Sequence, residues 1–159
     1  MKSLFNKITT KNKTEMKRIL QMLLLCFMVS STALAQQKKN VEITDLSLQD
    51  FKQKVWNFDK DKSFNRIGSL PIILDFHATW CGPCKLLAPH LQALQNKYKG
   101  KLIVYKIDVD KEPLLAQRFN VNAMPTIVFI GNKTSFKKEL GYQEYDALEQ
   151  LATKYLFVK

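Results

Sequence analysis

The feature that most constrains this fold is an apolar run that leads into two closely spaced cysteines and then into a helical pattern. Residues 70–77 read Leu-Pro-Ile-Ile-Leu-Asp-Phe-His, a composition typical of a central strand buried on both faces. Cys81 and Cys84 follow within a few residues, and residues 84–98 repeat apolar side chains at helical spacing. The sequence therefore predicts a cysteine pair at the start of a helix that follows a buried strand.

The rest of the chain predicts an α/β sandwich in which helices flank a central mixed β-sheet. Pro89 is expected to bend the helix over 84–98, and Gly100 to end it. Gly131 and Asn132 form a turn signal before a returning antiparallel strand. The other predicted segments are a short strand at 41–43, a helix capped by Ser47, an exposed connection over 59–69, strands at 102–108, 126–130 and 134–140, and helices at 112–119 and 145–155.

The first 35 residues have the features of a secretory signal peptide. A basic region ends at Lys17-Arg18, residues 19–29 are apolar except for Gln21, and residues 33–35 read Ala-Leu-Ala, the small-x-small pattern of a cleavage site. The apolar stretch is shorter than the roughly 20 residues that a membrane-spanning helix needs. We therefore expect cleavage after Ala35 and a periplasmic or secreted mature protein.

Two alternatives remain for this segment. It could stay attached as a membrane anchor, or Cys26 could be lipidated, although Leu25 stands where lipoprotein processing needs a small residue. Residues 16–18 read Met-Lys-Arg and would make a conventional start, so we expect translation to begin at Met16. The predicted organisation is a signal peptide at 1–35 and one domain at 36–159. Its core spans about 70–156 and follows an N-terminal extension at 36–69.

The positive charge of the chain lies partly in the predicted signal peptide. The formal net charge is +11, but removing residues 1–35 leaves 19 basic and 13 acidic residues. The remaining charges are scattered, and their short lysine clusters at 97–101 and 137–138 have no interleaved aromatic residues. This pattern indicates an ordinary charged surface and argues against nucleic-acid binding.

The two cysteines of the mature chain stand where a thiol becomes reactive. Backbone N–H groups and the helix dipole at a helix N-terminus stabilise a thiolate. Cys81 is then expected to be the exposed attacking thiol, and Cys84 the shielded resolving thiol. A zinc site and a static structural disulfide are the alternatives, but structural zinc needs four ligands. The chain's two histidines are His77 and His90. His90 is expected about 9 Å from Cys84 at 1.5 Å per helical residue, and this distance argues against a zinc site.

From about Pro71 to Tyr155 the sequence resembles the thioredoxin family. The resemblance rests on residues 74–76 (Leu-Asp-Phe), on residues 80–85 (Trp-Cys-Gly-Pro-Cys-Lys) with their Cys-Gly-Pro-Cys motif, on Met124-Pro125-Thr126, which is similar to the family's cis-proline loop, and on Gly141. It implies a thioredoxin fold and a thiol–disulfide oxidoreductase that needs no cofactor and no metal.

The resemblance also implies a role for each matching residue. Cys81 and Cys84 would form the redox-active disulfide, Asp75 would assist proton transfer at Cys84, and Lys106 would be its charged neighbour. The implied substrate-binding residues are Trp80, Gly82, Pro83, Met124, Pro125 and Gly141. A salt-bridged Asp75–Lys106 pair with a purely structural role is the alternative, because a buried carboxylate is costly without a partner or a task.

Two departures from the family pattern bear on specificity. His77 stands where thioredoxins often have tryptophan, and strand alternation places it on the same face as Asp75. A protonated His77 would help to hold a thiolate, whereas a neutral, hydrogen-bonded one would be structural. Asn122 and Ala123 replace a more glycine-rich approach to Pro125.

The spacing of the motifs favours a plain, exported thioredoxin. Forty residues separate Cys84 from Pro125, which leaves no room for the helical insertion of strongly oxidising relatives. We expect a monomer that reduces disulfides in extracytoplasmic proteins and receives electrons from a membrane thiol relay. The alternatives are a dedicated redox partner for one secreted protein or cytochrome, a disulfide isomerase, and a binding module.

Overall fold

A computed structural model of the chain describes residues 16–18, 21–22 and 41–157. The first two pieces are helical, and the sheet is built from 41–157. No helix in the described ranges is both long and apolar enough to cross a membrane. Most of the predicted signal peptide, including Cys26 and the cleavage site after Ala35, lies outside the described residues.

The architecture is a five-stranded mixed sheet flanked by helices, as the sequence predicts. Across the sheet the strand order is β1-β3-β2-β4-β5, with β1, β3 and β2 parallel and β4 antiparallel to both of its neighbours. The elements are β1 (Thr44–Asp45), α1 (Leu48–Lys54), β2 (Ile72–His77), α2 (Gly82–Lys97), β3 (Ile103–Asp108), α3 (Pro113–Arg118), β4 (Thr126–Ile130), β5 (Lys137–Leu140) and α4 (Tyr145–Ala152).

The central strand β2 separates two hydrophobic cores. Its residues 72–76 are all buried, which confirms the prediction of a strand covered on both faces. On one side lie Phe76 and the side chains of α1 and the loop that follows it, among them Phe51 and Trp56. On the other side Ile73 packs against the apolar faces of α2 and α4. The end of β2 is thereby fixed relative to the start of α2.

The predicted limits of the two outer strands and the predicted end of the last helix are wrong. The first strand is Thr44–Asp45 rather than 41–43, because the carbonyl of Val41 accepts side-chain amides of Gln92 and Gln95 instead of a strand partner. Strand β5 begins at Lys137 rather than at residue 134, since the Asn132 side chain accepts the backbone N–H groups of residues 134 and 135 in an extended turn. After Ala152 the last helix continues as a π-helical turn, Thr153–Phe157.

The connection over 59–69 is not fully exposed as predicted. Arg66 is only 6% exposed, and its guanidinium donates to the backbone carbonyls of Asn132, Leu70 and Ser69. Phe64 is half-buried, and its ring lies 5.2 Å from that of Trp56. The charged and polar composition of the connection gave no indication that Arg66 and Phe64 would pack against the rest of the domain.

Candidate active site

The two cysteines meet at the first turn of α2. Cys81 is the N-cap and Cys84 the third helical residue, and they form a disulfide with their Cα atoms 5.4 Å apart. The backbone N–H of Cys84 donates to Cys81 Sγ at 3.2 Å. Pro83 is tolerated in this turn because the first N–H groups of a helix have no partner within it. The predicted placement of the pair at a helix N-terminus is confirmed, with the helix beginning at Gly82 rather than at Cys84.

The expected difference in exposure between the two cysteine residues is absent. Cys81 is 5% exposed and Cys84 is 4% exposed, because the disulfide holds both against Ala78 and the side chains of Met124 and Val109. The two residues differ in their position. The sulfur of Cys81 precedes the helix and accepts a backbone N–H, an arrangement that favours its thiolate when the bond is reduced.

A rim of exposed residues surrounds the disulfide. Gly82 and Pro83 are exposed, and Trp80 is 67% exposed. The Trp80 indole Nε1 donates to Asp110 Oδ2 at 2.8 Å. Sequence reasoning did not identify Asp110, although the carboxyl ends of the parallel strands β2 and β3 lie at one edge of the sheet and this topology could have suggested it.

The loop before β4 lies against the disulfide. The Met124–Pro125 peptide bond is cis, as the resemblance implied, and Met124 packs against the disulfide. The Gly141 N–H donates to the Pro125 carbonyl at 2.8 Å, and its φ of +90° favours glycine. The structure therefore gathers Trp80, the two cysteines and the loop onto one surface.

Asp75 is a buried carboxyl group behind the disulfide. It is 1% exposed, and its Oδ1 has no hydrogen-bond partner. Burial raises the pKa of Asp75 to about 6, while the charges of His77 and Lys106 act in the opposite direction. Lys106 is its neighbour on β3, but the described residues contain no ion pair between the two within 4.0 Å. The salt bridge of the structural alternative is therefore not formed between these two described residues.

A cavity of about 130 Å³ joins Asp75 to the second cysteine. Its lining is formed by Asp75, His77, Ala78, Thr79, Cys84, Lys85, Ala88 and Lys106. His77 lies beside Asp75 as strand alternation predicted, and its Nε2 is 3.3 Å from Asp45 Oδ1. The arrangement allows a proton to pass between Cys84 and a buried carboxyl group that titrates near neutral pH.

The second histidine lies away from this cavity. His90 is half-buried, and its Nδ1 donates to the Gln143 carbonyl at 3.1 Å. Its ring packs against Tyr142 at 5.6 Å between centroids. Within 41–157 and the two short helical pieces, no group of three or more His, Cys, Asp or Glu side chains is arranged to hold a metal ion.

A larger cavity of about 300 Å³ lies beside the loop that carries the cis peptide bond. Asn122 and Ala123, which depart from the family pattern, line it together with Asn120, Thr126, Lys138, Glu139 and Leu140. This cavity was not predicted, because its two sides, the loop and β5, come together only through the pairing of β5 with β4.

Comparison with known proteins gives a consistent set of relatives. The family described as Thioredoxin matches residues 42–154, and so includes 42–69. A thioredoxin of Borreliella burgdorferi is 39% identical over 106 residues, covering 67% of this chain and 91% of that protein. The mitochondrial thioredoxin of Mus musculus is 33% identical over 123 residues, covering 77% and 73%. Among solved structures, mitochondrial thioredoxin 3 of Saccharomyces cerevisiae in its oxidized form is 34% identical, with a TM-score of 0.55 over 70% of this chain and 94% of that one.

Proposed function

The chain belongs to the thioredoxin family of protein-disulfide oxidoreductases, and from this premise we propose that it reduces disulfides in extracytoplasmic proteins after export. The observation that carries the proposal is the pair at the start of α2, where only Gly82 and Pro83 separate the two sulfurs. The predicted signal peptide at 1–35 supports export.

The site supports a two-step exchange. The Cys81 thiolate attacks one sulfur of a substrate disulfide, which forms a mixed disulfide and releases the other substrate sulfur as a thiolate. Cys84 then gives its proton to Asp75 and attacks Cys81 Sγ. The second substrate sulfur leaves as a thiolate and is protonated, and the Cys81–Cys84 bond seen in the structure is restored. The cavity that both Cys84 and Asp75 line supports this proton transfer.

The residues between the cysteines favour reduction over oxidation. Redox potential depends on how strongly the reduced form's thiolate is stabilised, and the potentials of DsbA and thioredoxin are about −120 mV and −270 mV respectively. Neither Gly82 nor Pro83 can carry charge or donate a side-chain hydrogen bond to Cys81. The helix terminus remains, so we expect a moderately lowered Cys81 pKa and a potential near that of thioredoxin.

Equilibration with glutathione buffers tests this direction. The expected potential is near −270 mV, and a His77→Trp variant measured in parallel shows how much the histidine shifts it. A wild-type value near the DsbA end would contradict the reductase proposal and favour an oxidase or an isomerase. Reduction of insulin would support a broad reductase rather than a partner dedicated to one secreted protein.

Export and electron supply form the cellular part of the proposal. We propose a monomeric mature protein that begins at Gln36 and receives electrons from a membrane thiol relay, since an exported reductase has no access to cytosolic NADPH. Mass spectrometry of extracytoplasmic material should find Gln36 at the N-terminus. Retention of residues 19–29 would contradict cleavage. Alkylation trapping in living cells should find Cys81 and Cys84 mainly reduced.

A further inference from the structure

Four charged or titratable side chains lie together where β1, β3 and β2 run side by side. Asp45 on β1 and Asp75 on β2 are both paired in register with Lys106 on β3. His77 lies two residues beyond Asp75 on β2, and so on the same face. His77, Asp75 and Lys106 also line the cavity that reaches Cys84.

The contact with Asp45 sets the hydrogen bonding of the imidazole. A carboxylate oxygen accepts hydrogen bonds, so His77 Nε2–H donates to Asp45 Oδ1 across 3.3 Å. In the neutral imidazole this leaves Nδ1 as the acceptor. The His77 side chain is 16% exposed and that of Asp45 is 66% exposed. The ring therefore contacts a solvent-exposed carboxylate while it lines the same cavity as the buried Asp75.

We propose that His77 is a positioning residue of the exchange reaction, which relays the proton of Cys84 from the buried Asp75 to solvent during resolution and thereby completes the deprotonation of Cys84. The cavity of about 130 Å³ has room for water molecules that could bridge the Asp75 carboxyl group and the His77 imidazole. The raised pKa of Asp75 is compatible with proton exchange near neutral pH. The inference rests on thiol–disulfide exchange through Cys81 and Cys84, and not on the compartment.

The proton balance follows from the two-step exchange. Cys84 loses its proton to Asp75 before its sulfur attacks Cys81, and the transfers from Asp75 to solvent complete this deprotonation. Protonated Asp75 then passes the proton to His77 Nδ1, and the imidazolium releases a proton from Nε2, next to Asp45, to solvent. Asp75 returns to its carboxylate, and His77 is left neutral with its proton on Nδ1. Loss of that proton to water and uptake of another at Nε2 restore the tautomer that donates to Asp45, so neither residue is changed over the full cycle.

The other charged groups around His77 do not provide the same route. Lys106 on β3 and Lys85 on α2 line the cavity, and as cations they have no free acceptor position for a proton. Asp108, the register partner of His77 on β3, accepts the backbone N–H of Asp110 and lies 3.4 Å from the Lys111 ammonium. Unlike these described neighbours, the His77 imidazole combines an acceptor nitrogen with a contact to the exposed Asp45.

The test separates attack by Cys81 from resolution by Cys84. Attack is followed as mixed-disulfide formation with insulin in a Cys84→Ser background, and resolution as single-turnover reduction of insulin by the intact dithiol, both from pH 5.5 to 8.5. We expect His77→Gln to slow resolution about tenfold near pH 7 and to remove one limb of its pH profile. Attack should stay within about twofold. His90→Gln is the matched control, and it should change neither rate.

Chemical rescue adds a second readout. Added imidazole should accelerate resolution by His77→Ala several-fold in a concentration-dependent way, and should not accelerate His90→Ala. Resolution within about twofold of wild type in His77→Gln, an equal loss of attack and resolution, or the absence of rescue by imidazole would each contradict the relay. Wild-type protein that does not reduce insulin would instead contradict the proposed function.

Discussion

At the scale of single residues, the two sulfurs divide the reaction because they occupy different positions on α2. Cys81→Ser should abolish attack on disulfides, since it removes the sulfur that the helix N-terminus stabilises. Cys84→Ser should accumulate mixed disulfides through Cys81, because resolution needs the second thiol. Non-reducing gels and mass spectrometry of trapped complexes measure both. Trapping by Cys81→Ser instead would show that the roles are reversed.

The buried Asp75 carboxyl group also affects stability. Its pKa is about 6 in the folded protein and 3.8 in the unfolded reference, so the folded state binds a proton more tightly. Its contribution to folding is therefore fully present below about pH 4 and is lost as the pH rises through about 6. A shift of this size corresponds to roughly 3 kcal/mol at neutral pH. Urea unfolding of the oxidised protein at pH 4 to 7 measures it.

Asp75→Asn tests both consequences of this burial. The variant should lose the fall in unfolding free energy between pH 4 and 6, because its amide does not titrate. It should also resolve mixed disulfides at least tenfold more slowly, because the proton acceptor for Cys84 is gone. Full activity at neutral pH would make Asp75 a purely structural residue, and an unchanged pH dependence of stability would assign that dependence to another group.

The residues that sequence reasoning missed are those brought together only by the sheet. Cys81, Cys84 and Pro125 stand in recognisable local motifs, so their positions could be predicted. Asp110 meets Trp80 through the pairing of β2 with β3, and Asp45 meets His77 from the edge strand β1. Neither carboxylate lies in a motif that marks it, and each lies about 30 residues away from its partner along the chain.

At the scale of elements, a continuous apolar run was sufficient to predict the limits of a strand. Limits that depend on hydrogen bonds from side chains to the backbone could not be predicted. β4 occupies residues 126–130 as predicted, because all five of its side chains are buried. β1 and β5 are mostly exposed, so hydrophobic pattern does not define their limits. The side chains of Asn132 and Gln92 determine where those strands begin, by hydrogen bonds to backbone groups that no periodicity reveals.

The junction between β4 and the C-terminal π-helical turn depends on a glycine. A Cβ at Gly131 would lie 2.3 Å from the Tyr155 carbonyl oxygen, so Gly131→Ala should destabilise the protein by about 1–3 kcal/mol through overpacking. Gly82→Ala is the control for stability, because its Cβ meets nothing within 4 Å. Urea midpoints of the two variants should differ clearly. Equal midpoints would mean that the terminal turn moves away freely.

At the scale of the whole molecule, the segment between β1 and β2 is part of the core. Trp56 is 5% exposed, and its ring packs against Phe58 and Phe64. Its Nε1 donates to the Asp61 carbonyl, and the Arg118 guanidinium of α3 lies 5.5 Å from its ring. These contacts join residues 56–64 to one another and to α3, and Trp56 and Phe58 share a buried cluster with side chains of β2, although the sequence predicted only an N-terminal extension here.

The chain's two tryptophans provide a matched test of this point. Trp56→Ala should lower the free energy of unfolding by about 3–5 kcal/mol, because it opens a cavity in the aromatic core. Trp80→Ala removes a side chain that is 67% exposed, and it should change that free energy by less than about 1 kcal/mol. Chemical denaturation followed by circular dichroism measures both. A Trp56→Ala variant as stable as Trp80→Ala would place residues 56–64 outside the cooperative unit.

The two edge strands of the sheet, β1 and β5, affect how substrate proteins can bind. An open strand edge invites other extended chains to add to it, and natural proteins shorten or charge their edges to prevent this. Here β1 is two residues long, and β5 presents Lys137 and Lys138. Partly unfolded targets therefore find few backbone groups on which to build a sixth strand. We expect them to bind only at the surface around Cys81 and Cys84 and to dissociate once their disulfide is reduced. They should not form aggregates on the edges of the sheet.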